Sequence, residues 1–492
     1  MLAMRAPSWS RLALAALAAS TVACIELPHS DDPPVEPPPD DPDPPPVDPI
    51  DPPSPPGACP VRGVIAARSL ADTDPIALAP LTFARVLDRV RETAGATATP
   101  RLALYQAWFR TFGASPGVGD CDDPDRDPEG YGLRCPRAPE ARLASIDPFA
   151  AAAVARFEPV AVFDRFDLAP GDGATCGEYR IVYALRAEPF APVRGPGFVI
   201  VEAALPNPTP AAGVDACLPV ARFWHALSSE PDPSRRAAQL EQFFFTGGAV
   251  AGFPAAIDAR HLGLADNAAT FARGQLRTNL FIDEVEWALR EFKLRRTCVG
   301  ATCALAVAPV PVAANPADEL VAGTHPRATA FADALATQVG ALTAPRIAEL
   351  SLAIDPIFDE LESVSMPGTA TVRYRARAAV ALRVALQRQL TATGSSLTTS
   401  NLLDRATTQT CAGCHDVSSN ADLGGGLSWP PSNGFTHVDE RGTLSPALTD
   451  VFLPHRAAVL ERFINDRCST ARVAAPVDPS RTLGGSVVGA AN

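Results

Sequence analysis

Three short runs decide the fold class: Val160-Ala161-Val162-Phe163, Tyr179-Arg180-Ile181-Val182-Tyr183 and Phe198-Val199-Ile200-Val201. Each is β-branched or aromatic and flanked by Gly or Pro, which is the pattern of strands rather than helices. Residues 276–282 and 304–312 read the same way, so 157–312 forms a β-rich stretch with helical inserts at 218–228 and 233–246. Helical periodicity lies on both sides of it. Phe83, Val86, Leu87 and Val90 recur at i, i+3, i+4, i+7 within 60–115, and Phe331, Leu335, Val339 and Leu342 share a face within 326–392. Residues 373–389 read as an Ala- and Arg-rich amphipathic helix. The expectation is an α+β main domain over 59–392, mixed helix with antiparallel sheet.

Several polar residues interrupt the strand runs: Asp164, Arg165 and Asp167; Glu178 and Arg180; Arg277 and Asn279. They either line a pocket with carboxylates and guanidinium clamps or form satisfied salt bridges at a sheet edge, the commoner arrangement. No nucleophile elbow, phosphate loop, dinucleotide fingerprint or zinc-protease helix occurs, so residues 60–400 name no reaction. The acids of 114–140 (Asp120, Asp122, Asp123, Asp125, Asp127, Glu129) lack the spacing of an EF-hand and read as a solvated loop.

The whole chain has 492 residues, a net charge of −13 and 47% apolar residues, enough for buried cores. The negative balance argues against nucleic acid as a partner, because phosphates need a basic face. The acidic excess is concentrated near the start. Residues 28–56 hold 15 Pro and 8 acids with no basic residue, an extended polyproline-type spacer. Before it, Arg5 and Arg11 flank an apolar run at 12–22, too short to span a bilayer and of the length of a secretory signal core.

That run ends in Thr21-Val22-Ala23-Cys24, which resembles the lipobox of bacterial lipoproteins. The resemblance implies a signal over 1–23 and a lipid on Cys24. It also implies export to the cell envelope, with 24–58 as a tether holding the protein to a membrane (outer membrane or periplasmic face) through that lipid. An ordinary cleaved secretion signal is the alternative. Export places the cysteines in an oxidising compartment. With Cys411 and Cys414 set aside, proximity suggests the pairs Cys121–Cys135, Cys176–Cys217, Cys298–Cys303 and, by remainder, Cys59–Cys468.

Cys411-Ala412-Gly413-Cys414-His415 carries the chemistry. Thiols two residues apart lie on one turn, within reach of the two vinyl groups of one porphyrin, and the next residue can turn its imidazole to the iron. The five residues resemble the attachment motif of c-type cytochromes. The resemblance implies one covalent haem c on Cys411 and Cys414, with His415 as proximal ligand. It implies a small all-α unit over 393–475, and 476–492 is left as a flexible tail. No Met lies downstream to serve as the sixth ligand, so His437 is the leading candidate, with His455 or an open iron as alternatives. The implied function is one-electron transfer with a redox partner protein, by a carrier rather than a catalyst. An open iron would permit peroxidase-type chemistry. Three other readings stay open. The α+β domain of an envelope lipoprotein could capture a ligand by binding or adhesion, or its acids and arginines could act on a substrate. The cysteines could form a zinc site with His437 and His455, or a disulfide or dithiol pair.

Overall fold

The structure is a computed structural model that describes residues 70–113, 137–266, 271–282, 287–365, 374–414, 418–433 and 437–470. The segments 1–23 and 24–58, Cys24, Cys59, the Cys121–Cys135 pair, the acids of 114–136, His415 and the tail 476–492 lie outside the described residues. So does the side chain of Cys468, near the end of the last helix.

The three deciding runs lie side by side. They occupy β2 (Ala155–Arg165), β3 (Thr175–Ala187) and β4 (Gly197–Pro206), paired antiparallel in sequence order. The short β1 (Ala71–Asp72) extends the sheet beyond β2, and β6 (Gln275–Leu280) extends it beyond β4. Next to β6 runs β7 (Trp287–Val299), the organising strand of this end. On the β6 side it also pairs in parallel with β5 (Ala265–Asp266). Along its other edge it meets β9 (Ser363–Ser365) and then β8 (Thr302–Val310), both antiparallel. The expected α+β class with an antiparallel sheet is what the chain adopts, apart from the parallel β5–β7 pair.

One face of the sheet is aromatic. The helix Phe83–Thr93 starts on Thr82, whose hydroxyl accepts from Arg85 N, and it buries Phe83, Val86, Leu87 and Val90. With the helix Arg101–Arg110 it packs on Phe157, Tyr183 and Phe292. The Phe83 ring lies 5.3 Å from Tyr183, and Trp108 lies 5.5 Å from Phe292. Farther along the same face the helices Leu218–Ser229 and Pro233–Glu241 are covered by aromatic contact. Trp224 stacks on Tyr179 at 5.4 Å, and Phe243 meets Tyr179 edge-on at 4.9 Å. Fully burying such side chains contributes roughly 1.5–3 kcal/mol each.

The opposite face carries charge. The residues expected to form a sheet-edge set of salt bridges are instead on interior strands. Arg180 lies between Glu178 (2.5 Å) and Glu202 (3.2 Å), and Arg277 joins Glu202 (3.4 Å) to Glu291 (2.9 Å). Arg165 forks onto Asp167 through Nε at 3.0 Å and Nη2 at 2.9 Å. The ladder closes sideways, with Gln275 Nε2 donating to Glu202 at 2.5 Å and Ala313 N to Glu291 at 3.3 Å. β7 was not among the expected strands because Arg290, Glu291, Lys293, Arg295 and Arg296 break its apolar pattern. Pairing makes those charges tolerable in a buried strand.

Two further expectations shift. The amphipathic stretch 373–389 is split into Tyr374–Arg377 and Val380–Thr393, because Ala379 leaves the helical conformation (ψ 154°). Within 393–475 helices dominate, but a two-stranded hairpin, β10 (Asp422–Gly424) with β11 (Leu427–Ser428), interrupts them. The stretch is not packed as a body of its own. Leu402, Leu403 and Ala406 share a core with Phe331, Leu335 and Leu386, while Leu448, Leu453, Leu460 and Ile464 join the core of the sheet.

Two of the four expected disulfides are present, Cys176–Cys217 and Cys298–Cys303. The first ties the start of β3 to the helix that covers Tyr179, across a separation of 41 residues; the second staples the β7–β8 turn across 5. Chain-entropy arguments assign roughly 4 kcal/mol to the longer loop and about 2 kcal/mol to the shorter. Cys176→Ala/Cys217→Ala should therefore lower the urea midpoint more than Cys298→Ala/Cys303→Ala. Equal losses would mean that the covering helices do not need the longer tie.

Candidate functional site

The motif cysteines follow the helix Thr399–Thr408. It starts in a capping box: the Thr398 hydroxyl accepts from Asn401 N, and the Asn401 side chain accepts from Thr398 N. Arg405 fixes its position. This buried guanidinium donates to four carbonyls, those of Leu423 (2.9 Å), Gly424 (2.9 Å), Leu342 (2.9 Å) and Ala344 (3.1 Å). One side chain thus joins the helix to β10 and to the 339–344 segment.

Thr410 then turns the chain into the motif. Its hydroxyl donates to Thr407 O at 2.9 Å and accepts from Gly413 N at 3.0 Å, while its carbonyl accepts from Cys414 N at 2.9 Å. Gly413 lies so close to the preceding helix end that a Cβ there would fall 1.8 Å from Thr407 O. Only glycine allows this approach.

Cys414 is 3% exposed. Its carbonyl accepts from Trp429 Nε1 at 3.2 Å, and its Sγ lies 3.0 Å from His437 Nε2. The other ring nitrogen, Nδ1, is 3.2 Å from Ser445 Oγ. Burial pushes the Cys414 thiol up to about 12 and the Cys411 thiol up to about 11, so both are protonated at neutral pH. His437 thus bridges the Cys414 thiol and the Ser445 hydroxyl through its two ring nitrogens. Around this polar contact the walls are apolar. Leu350, Leu423 and Trp429 pack with Cys414, and the Phe452 ring lies 5.6 Å from Trp429 and 6.1 Å from His437.

The motif turn sits over the charged face of the sheet. Cys411 feels Arg277 first, then Glu291, Glu202 and Asp359; Cys414 feels Arg456 and Arg165. The polar residues of the strand runs and the motif far downstream therefore share one electrostatic environment. Two buried acids of the sheet region are displaced from their ordinary values. Burial raises Asp164 to about 8 and Asp359 to about 7; the carboxylate of Asp359 accepts from Asn315 N (2.7 Å) and Ala314 N (3.2 Å). Ala314 holds φ +58°, a strained conformation for a residue with a Cβ, and these bonds fix it.

Cys411, Cys414 and His437 are thus brought together, while His415 lies outside the described residues. His455, the alternative ligand, stands in the first turn of the helix Leu453–Thr470 and faces Asp167 and Glu349. The Gly/Pro/Trp loop before His437, with Trp429, was legible as a cover, whereas sequence reasoning missed Ser445, Phe452, Arg456, Glu202 and Glu291. For Glu202 and Glu291 a signal existed, a carboxylate inside an apolar strand run; the others are ordinary residues that only packing selects.

Comparison with known protein families, with curated proteins and with solved structures found no match.

Gly413→Ala should destabilise the protein by about 2 kcal/mol or more, through the clash with Thr407 O, as read by urea denaturation. A neutral substitution would show that the turn is not pressed against the helix. Asp164 sets a pH dependence. Its folded value lies above its unfolded one, so its contribution is fullest below about pH 4 and is lost as pH rises to about 8. Asp164→Asn keeps the acceptor for Phe166 N and removes the titration. The variant should gain on the wild type between pH 5.5 and 8.5 in urea midpoints, and parallel curves would rule out a buried titrating Asp164.

Proposed function

We propose that this chain is a c-type haem protein of the cell envelope, held to a membrane by a lipid on Cys24, and that it passes single electrons to and from a partner protein. One observation carries the reading. Cys411 and Cys414 are unpaired thiols, Cys414 buried against Trp429 and Leu423, whereas Cys176–Cys217 and Cys298–Cys303 are bridged. Thioether formation needs such thiols. Each adds across one vinyl group, with sulfur bonding one carbon and the thiol proton going to the other, so no oxidant is consumed. Trp429, Phe452, Leu350 and Leu423 supply the apolar wall that a porphyrin edge requires. His415 then serves as proximal ligand and His437 as distal ligand. A thioether holds the porphyrin edge and not the iron, so ligation by His437 requires its ring to leave the Cys414 thiol that it now touches. The small all-α cytochrome unit belongs to this reading. Its helices would enclose the haem against the charged sheet face rather than form a separate body. A His/His iron has a lower potential than a His/Met iron and suits electron transfer.

The 3.0 Å contact between Cys414 Sγ and His437 Nε2 favours a second reading. A thiolate and an imidazole this close suit a zinc ion, with Cys411 and His415 as the remaining ligands. The ring need only draw back until sulfur and nitrogen are about 3.6 Å apart, the edge of a zinc tetrahedron, but both thiols must lose their protons.

One preparation separates the two. The full chain is exported with the haem attachment machinery co-expressed, then assayed for covalent haem by mass and haemochrome spectrum, and for zinc by elemental analysis. Covalent haem at one per chain is expected; stoichiometric zinc without haem would establish the second reading and end the first. Within a haem-bearing protein, Cys414→Ser should leave a single thioether. His437→Ala should convert a six-coordinate low-spin spectrum to high-spin, and an unchanged spectrum removes His437 as ligand.

A further inference from the structure

The charged floor under Cys414 contains one group that the pairing described above leaves unsatisfied. Arg165 is 2% exposed and commits Nε and Nη2 to Asp167, but its Nη1 is buried and has no hydrogen-bond partner. A buried guanidinium N–H without an acceptor carries its full desolvation cost, so such groups ordinarily have a partner.

The cations at this spot are matched by acids, Glu178 standing cross-strand from Arg165 and pairing with Arg180 at 2.5 Å, so Nη1 is a donor in need of an acceptor rather than a surplus charge. Arg456, 8% exposed, reaches toward the same carboxylate, with Nε 3.9 Å from Asp167 Oδ2, and Arg180 also acts on Asp167. Asp164, next in the chain to Arg165, is 1% exposed; its Oδ1 accepts from Phe166 N and its Oδ2 is unpartnered. Burial pushes that carboxyl up to about 8, so it adds little negative charge at neutral pH. The position is next to the motif, since the charges of Arg165 and Arg456 both reach the Cys414 thiol.

We propose that Arg165, backed by Arg456, is a seat for a carboxylate beneath the Cys411–Cys414 turn. A carboxylate oxygen suits it because Nη1 is a charge-assisted donor that needs an acceptor bearing charge. Two sources offer this chemistry. If the haem reading holds, on which this form of the inference rests, the group is a propionate of the attached porphyrin. Otherwise it is a free or peptide-borne carboxylate. The seat explains why a guanidinium is buried in the sheet with one edge unused.

The test has two arms. In the first, the haem-bearing full chain is compared with Arg165→Met, which removes the charge, and Arg165→Lys, which keeps it. The expected result is a lower midpoint potential in Arg165→Met, with a stronger dependence on pH between 5 and 8 as the propionate loses its cation. Arg165→Lys should stay near the wild type. In the second arm, Cys411→Ala/Cys414→Ala, which cannot attach haem, is heated with sodium acetate against sodium chloride at equal ionic strength. A rise in thermal midpoint specific to acetate, and lost when Arg165→Met is added, identifies a free carboxylate as the source. Should Arg165→Met fail to fold, Arg165→Gln, which removes the charge and keeps a polar head, takes its place in both arms. No acetate effect together with potentials unmoved in the Arg165 variants overturns the proposal. Absence of covalent haem in the wild type defeats the function proposed above but leaves the acetate arm to judge this seat.

Discussion

Everything on the second face of the sheet follows from one constraint: charges buried on interior strands must be paired. Arg180, Glu202, Arg277 and Glu291 form a continuous ladder across β3, β4, β6 and β7. Removing one partner of a buried pair costs roughly 3–5 kcal/mol, because the other charge is left in a poor solvent. Such a ladder cannot be left to bulk water, nor can it be covered by an apolar layer alone. The cover it receives is polar where the charges are and apolar beside them. The 313–315 turn donates backbone N–H groups to Glu291 and Asp359, and the motif turn lies next to Arg277 and Arg165.

The stretch 393–475 does not close a core of its own. An isolated helical unit would close its own apolar centre around the motif. Here the helix Thr399–Thr408 shares its core with 317–390, and the final helix packs into the core of the sheet. Arg405 fastens the helix to β10 and to the 339–344 segment by satisfying four carbonyls from those two segments. The site is therefore composite: thiols from one segment, an imidazole from 23 residues later, and a charged floor from strands far upstream. The Cys414 thiol is thereby placed between an apolar, aromatic wall and a network of paired charge.

Much of the fold was legible. Runs of β-branched and aromatic residues marked β2, β3, β4, β6 and β8, because period-2 or continuous apolar patterns have few other uses. β7 escaped because a strand whose charges are paired by its neighbours looks, read alone, like an exposed or helical segment. The two short-range disulfides followed from proximity along the chain. In the site, the Cys-X-X-Cys-His spacing was visible, and so was His437 as a candidate, but nothing local distinguished His437 from His455. That choice depends on how the 437–445 loop folds back, with Ser445 holding the ring and Phe452 edging it.

The sequence by itself determined the chemistry available and the class of fold. Five residues at fixed spacing set two thiols on one turn, and apolar periodicity set strands between helices. Both are local facts, fixed by the geometry of a single turn or strand. Only the tertiary structure decided that the polar interruptions in the strands and the distant motif share one electrostatic environment, and that Arg165 lies there with a donor to spare. The reason is physical. Pairing of buried charge is a relation between strands that register brings side by side, and no single segment contains both members of the pair.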